Sequence, residues 1–230
     1  FLVSILLTNA RLDDDDYNEA EINPYWFVQT QMEIVLINHD YYTPRTFVAE
    51  IVGQAIEKFQ IIDPLYEFFL TDSEDVFDYE AKMFLLYKFL KKLINLEKNS
   101  YKKKDKKKRS QVRPSIREED FQGILQQLEN PNPPFLTAAL IRICSLVFKY
   151  FEPKQGLLVS QQIIMESESP IIAYYGSKMF NSCNNDNVDD DDKKSIFESI
   201  DVPSLIEKLI AVSSTFKDNV VPTMISSLCK

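Results

Sequence analysis

The sequence predicts an all-α protein whose helices pack in pairs, and three observations lead there. Glycine is scarce, with four in 230 residues, and the prolines separate long apolar runs, a pattern that disfavours short strands joined by tight turns. Within those runs the apolar residues return at helical spacing. Finally, a proline that opens a helix and a small residue five or six positions later recur together: Pro44 with Ala49, Pro134 with Ala139, Pro170 with Gly176.

Taken in order, the opening FLVSILLTNA is apolar but lacks a basic lead-in and is too short to cross a bilayer. It reads as the end of a helix belonging to a longer chain, and the closing MISSLCK likewise stops mid-pattern. Leu12 to Pro24, with Asp13, Asp14, Asp15, Asp16, Glu19 and Glu21, reads as a loop or a ragged helix start. In EINPYWFV, Trp26 is expected to pack a helix start against its neighbour. A helix follows Pro44, whose missing N–H costs nothing in a first turn. Helical runs then span Phe77 to Leu96, Glu118 to Leu128, Phe135 to Phe151, Gly156 to Met165, Ile171 to Cys183, Val202 to Phe216 and Lys217 to Lys230. The first and third of these carry apolar residues on more than one face, as a helix covered on two sides requires. Asp201 with Pro203 just inside marks the start of the Val202 helix.

Two segments break the pattern. Residues 98–114 include KKKDKKKRS and hold almost no apolar side chain, so a solvated loop is expected. Residues 181–194, NSCNNDNVDDDDKK, are rich in Asn and Asp, which compete with helical backbone bonding. Both fall between helices. Pro134 and Pro170 are separated by the period of a two-helix repeat. The expected architecture is therefore a HEAT-type, armadillo-like solenoid of about four to five helical hairpins, running over residues 1–230 as one segment of a larger protein.

Composition narrows the function. A formal charge of −9 opposes phosphate binding and favours basic partners. The three cysteines, Cys144, Cys183 and Cys229, are an odd number without CxxC spacing and read as reduced core thiols. His39 is the only histidine and sits in the turn-like INHDYYTP, so a histidine-rich metal site and HExxH have no basis and general-base work is disfavoured. Gly53, Gly123, Gly156 and Gly176 are isolated, which leaves no phosphate-cradling loop. Asp186 to Asp192 has carboxylates but not the register or the glycine of an EF-hand. No enzyme activity, cofactor or metal is expected. The basic run Lys102 to Arg109 serves solubility, an electrostatic contact within the chain or with a partner, or else localisation or nucleic-acid contact. The candidate contacts for a basic partner are Asp13, Asp14, Asp15 and Asp16, with Asp189, Asp190, Asp191 and Asp192.

The order of segments resembles the importin-β family of nuclear transport receptors. An acidic stretch precedes Asn23-Pro24 and Phe27-Val28, where the family has Asp-Pro and Phe-Val, and a helix opened by Arg45 follows. FLTAALIRICSLVFKYFEP, then QQIIMESESPIIAYYGSKMFNSC, then VPSLIEKLIAVSSTFKDNVVPTMISSLC are similar to the middle repeats of importin-9-type receptors, with Gly176 in place of the usual Ala. The resemblance implies a segment of an import receptor that binds basic cargo such as histones, releases it on Ran-GTP binding, meets nucleoporins, and shuttles between cytoplasm and nucleus without membrane or direct nucleic-acid contact. An exportin-2-like export receptor, or a HEAT scaffold without Ran dependence, would show comparable segments.

Overall fold

The computed structural model describes residues 2–33, 43–101, 115–184, 200–213 and 224–225. Among them every regular element is helical and there is no strand. In chain order the helices are α1 (Leu2–Ala10), α2 (Asp14–Ile22), α3 (Pro24–Phe27), α4 (Pro44–Phe59), α5 (Asp63–Phe69), α6 (Val76–Ser100), α7 (Glu118–Leu128), α8 (Pro134–Phe151), α9 (Pro153–Glu166), α10 (Pro170–Cys183) and α11 (Val202–Ser213). A π-helical turn, Val28–Glu33, continues α3.

The starts follow from local chemistry. Asp13 caps α2, Asn23 caps α3 by accepting from the Trp26 N–H, and Thr43 caps α4 by accepting from the Thr46 N–H. The Asp75 carboxylate accepts from the Phe77 and Asp78 N–H groups at the head of α6. Each cap satisfies backbone donors that have no partner inside the helix. Prolines stand in the first turn of α3, α4, α8, α9 and α10. Asp201 accepts from the Ser204 N–H, so the anticipated start of α11 is present. At its other end α4 closes with Gln60 in the left-handed region, φ 54°, and the Ile61 N–H reaches back to the Ala55 carbonyl at 3.1 Å, which satisfies a terminal acceptor.

Four helices, α4, α6, α8 and α10, form a row in which each packs against the next. They run parallel. Between α4 and α6, Arg45 reaches Glu80 near the starts and Lys92 reaches Glu57 near the ends, both across 35 residues of sequence. Between α6 and α8, Phe77 stacks on Phe135 near the starts, centroids 5.4 Å apart, and Lys98 donates to the Tyr150 hydroxyl near the ends. The starts of α8 and α10, at Pro134 and Pro170, line one hollow, and their ends, at Tyr150 and Ser182, line another. Parallel neighbours require the chain to return each time, and α5, α7 and α9 make the return. Phe69 of α5 packs edge-on to Phe89 of α6, Phe121 of α7 packs edge-on to Phe148 of α8, and α9 lies against both α8 and α10.

Helix α1 packs on α4 and α6, and α11 on α9 and α10. Helices α2 and α3 lie across the starts of α8 and α10, where Tyr17 meets Phe135 edge-on at 5.6 Å and Pro24 shares a hollow with Pro134 and Pro170. Phe27 is fully buried and Trp26 is 40% exposed, so Phe27 is the more deeply packed of the two at the start of α3. Helix α8 is long and apolar enough by length and composition to cross a membrane. Its packing against α6, α7, α9 and α10 accounts for that composition.

Small residues set two of the closest approaches. A Cβ on Gly176 of α10 would lie 2.9 Å from Ile164 Cγ1 and 3.0 Å from Ile163 Cγ2. The small residue expected there for close packing does that work. Gly156 of α9 is tighter still, 2.5 Å from the Cys183 sulfur and 2.8 Å from Phe148 Cβ on the same construction.

Helix α6 extends through Ser100 and α10 through Cys183, so residues 98–100 and 181–183 are helical and not part of the loops expected from residues 98 and 181. Helix α5 is not legible in the sequence, because its seven residues fall short of the roughly 11 to 18 over which helical periodicity can be told from chance. Residues 102–114 and 185–194 of the two loops, His39 and most of Lys217 to Lys230 lie outside the described residues.

Candidate functional site

Helices α6, α8 and α10 line an open cleft of about 350 Å³, to which α5, α7 and α9 contribute no residue. Its positions follow helical periodicity. Tyr87, Lys91, Asn95 and Lys98 recur along one side of α6, Arg142, Ser145 and Lys149 along one side of α8, and Tyr175, Lys178 and Ser182 along one side of α10. The described lining carries five cations and no carboxylate, in a chain whose formal charge is −9.

Arg142 is the floor of the cleft. It is 5% exposed, and its guanidinium lies 4.2 Å from the centroid of the Tyr87 ring, 5.6 Å from that of Tyr175 and 5.8 Å from that of Phe84. Ring faces are electron-rich and attract a planar cation, so the three aromatics orient it. Lys98 Nζ donates to the Tyr150 hydroxyl at 2.7 Å. Lys91 lies over the Tyr87 ring at 5.6 Å. Lys98 and Lys149 stand in the last turns of α6 and α8, where the helix dipole itself favours a cation. Lys91, Arg142 and Lys178 stand away from helix ends, and the dipole does not explain them.

Of the acidic positions singled out in the sequence, Asp13 to Asp16 form the head of α2. Asp13 Oδ1 accepts from the Asp16 N–H at 2.9 Å and Asp16 Oδ2 accepts from the Asp13 N–H at 3.2 Å, a reciprocal capping box. Asp16 also accepts from Gln31 at 2.8 Å; burial, with the nearby Asp13 charge adding to it, raises its carboxyl above the usual range. Asp14 and Asp15 are exposed. Asp189 to Asp192 lie outside the described residues, and the structure brings no part of the Asp13 to Asp16 run to the cleft.

The residues that carried the family resemblance hold structural positions. Asn23 caps α3, Pro24 opens it, and Phe27 and Val28 are buried. Arg45 is 2% exposed and donates from Nη1 and Nη2 to the two Glu80 oxygens, each at 2.8 Å, while its guanidinium stacks 4.1 Å from the Phe84 ring centroid. Cys144 and Cys183 are free and buried, and burial pushes both thiols up to about 12, which makes them inert packing groups. Among the described residues no group of three His, Cys, Asp or Glu side chains gathers to hold a metal.

The cleft was missed in the sequence because its cations come from three helices distant along the chain. Each lysine alone is an ordinary surface position; the one local signal is Arg142, flanked by Leu140, Ile141, Ile143 and Cys144 within α8.

The fold and site thus define an all-α protein bearing a cationic, tyrosine-lined cleft on a row of parallel helices. No family model, curated protein or solved structure matches the chain.

Proposed function

We propose that this chain is a HEAT-type segment of a protein-binding solenoid and that it serves a nuclear import receptor of the importin-β kind. The observation that carries the reading is the parallel row α4, α6, α8 and α10, with α5, α7 and α9 returning behind it. Such an arrangement leaves a long helical face open to other proteins, and each hairpin hides its apolar stripe only against its neighbours. The sequence resemblance supplies the particular activity: capture of basic cargo such as histones, release when Ran-GTP binds, and passage through nucleoporins. The acidic balance supports basic cargo on physical grounds, since a surface of one sign speeds encounter with the other. Asp14 and Asp15 supply such charge without a part in the capping box.

The test is a pull-down of a histone-type cargo with the full-length protein. Receptor function predicts that cargo elutes when Ran loaded with GTP is added and stays bound with Ran-GDP. Cargo that remains bound in both cases replaces this reading with a Ran-independent scaffold, and cargo that binds only in the presence of Ran-GTP replaces it with an exportin-2-like export receptor.

A further inference from the structure

We propose that the groove between α7 and α9 is the seat of an amphipathic helix from a partner protein, one whose apolar face is flanked by Lys and Arg. The inference goes beyond the import reading, which rests on the open row and on overall charge. In the groove an apolar floor acts together with charge.

Both helices pack on α8, and two hollows lie between them. The first, about 290 Å³, takes Phe121 and Leu125 from α7 and Val147, Phe148 and Phe151 from the end of α8. The second shares Gln122, Leu125 and Gln155 with it and continues to Leu128 and Ile163. An apolar floor thus runs along the groove, and Phe151 is 52% exposed at one end of it. From Glu118 to Glu129 the wall rises about 16 Å at ~1.5 Å per residue, or about three helical turns. Apolar residues at i, i+3, i+4 and i+7 make a continuous stripe of that length.

Charge sets the sign of the partner. The described lining of the two hollows holds five glutamates, Glu118, Glu119, Glu129, Glu152 and Glu166, and no Lys, Arg or His. Glu118 and Glu119 stand in the first turn of α7, where the helix dipole favours an anion, and Arg117 lies 3.7 Å from Glu119. Glu129 and Glu166 have no such explanation. Glu129 is the C-terminal cap of α7 and Glu166 the last residue of α9, and neither helix has a basic residue in its last turn. Glu166 accepts from Gln162 at 3.0 Å, a neutral donor that leaves its charge in place. A carboxylate beside the unpaired carbonyls of a helix end adds to their negative potential, so the fold itself gains nothing from either group. Both line the second hollow, where one Lys or Arg of a partner would answer two carboxylates and two helix ends.

Gly123, midway along α7, opens the groove between these two ends. A Cβ there would meet no atom within 4 Å, so an incoming helix can approach the bare backbone closely. A strand would need an unpaired sheet edge, and no strand occurs among the described residues. A helix arrives with its backbone bonds already made and needs only the floor and the flanking charges.

Fluorescence anisotropy on the full-length protein tests this with three labelled probes of about 14 residues. One has Leu at helical spacing with Lys between, one has Glu in place of each Lys, and one is the Leu/Lys probe with two central residues replaced by proline. The Leu/Lys probe is expected to bind with an affinity that falls as salt rises, and the other two at least about tenfold more weakly. Glu129→Gln/Glu166→Gln should weaken binding about fivefold or more. The same variant should melt no lower than the parent, because it removes unfavourable charge from two helix ends. Gly123→Leu has room in the free protein and should block the seat, with a loss of about tenfold or more at a Tm no lower than the parent's. Glu74→Gln/Glu207→Gln, two exposed positions outside the groove, makes the same change in net charge and should leave affinity within about twofold. Should Gly123→Leu fail to fold, the glutamate pair still decides. Absence of Leu/Lys binding, equal binding of the proline or the Glu probe, equal loss in the outside pair, or full affinity in a folded Gly123→Leu would each overturn the proposal. Neither Ran nor histone-type cargo enters this assay, so its failure leaves the import reading standing, and failure of Ran-dependent release leaves the groove standing.

Discussion

At the scale of residues, Arg45 and Glu80 show how a charged pair can serve the interior. Both are almost fully buried, their geometry is bidentate, and Phe84 covers the guanidinium. Glu80→Ala would leave an unpaired buried cation, and we expect a loss of ~3–5 kcal/mol in urea unfolding. Replacing both partners by apolar residues, Arg45→Met with Glu80→Leu, should recover most of that loss. A single variant no less stable than the parent would show that the pair is solvated. The sequence marked Arg45 through its family resemblance but not its partner, because Glu80 sits amid an apolar run with nothing local to distinguish it from a surface carboxylate. A second cluster joins α5 to α7. Tyr66 donates to Asp120 at 2.7 Å, Arg117 Nε donates to the same oxygen at 2.6 Å and Nη1 donates to Glu67 at 2.9 Å. Burial pushes the Tyr66 hydroxyl up to about 12. Partial burial alone would raise the Asp120 carboxyl, but the hydrogen bonds from Arg117 and Tyr66 outweigh it and hold the group below its usual value. A lowered carboxyl contributes stability above the unfolded value of about 3.9 and loses it as pH falls through the lower folded value. Asp120→Asn should therefore be less stable than the parent at pH 6, and the gap should narrow steadily in melts taken at pH values lowered below the unfolded value of about 3.9. A constant gap would place the contribution in shape and not in charge.

Helices show best which signals a sequence carries by itself. The span Glu118–Leu128 and the proline-led starts at Pro44, Pro134 and Pro170 were all legible, because capping and periodicity are local properties. Less legible were the elements with little sequence of their own: α5, with seven residues, and α2, an acidic stretch whose helix depends on Asp13 and Asp16 capping each other. Glycines divide along the same line. A Cβ placed on Gly123 of α7 would have no atom within 4 Å, whereas one on Gly156 of α9 would meet Cys183 and Phe148. Gly123→Ala should stabilise by ~0.5–1 kcal/mol through reduced backbone freedom. Gly156→Ala should destabilise by ~1–3 kcal/mol, since the close approach of α9 to α8 and α10 would have to open. Chemical denaturation of the two variants side by side checks both signs, and equal effects would remove close packing as the role of Gly156.

For the whole molecule, the all-helical class was legible from composition and periodicity, while the way the helices stand was not. The parallel run of α4, α6, α8 and α10 depends on pairings across the chain such as Phe77 with Phe135 and Lys98 with Tyr150, and α6 and α8 are separated by the long lysine-rich insertion. No window of sequence contains both partners. The acidic total likewise concealed a local reversal of sign, since a sum over 230 residues says nothing about which side chains a fold gathers.

Parallel alignment has an electrical consequence too. Within the layer of α4, α6, α8 and α10 the peptide dipoles point one way, each equivalent to roughly half an elementary charge at either tip, while α5, α7 and α9, running back against it, carry theirs in the opposite sense. The layer alone therefore has a positive rim along its helix beginnings and a negative rim along their ends, and Lys98 and Lys149 offset the negative rim at two of the four tips. What the backbone sets up there is local to the last turns, and side chains placed in those turns decide how much of it a partner meets.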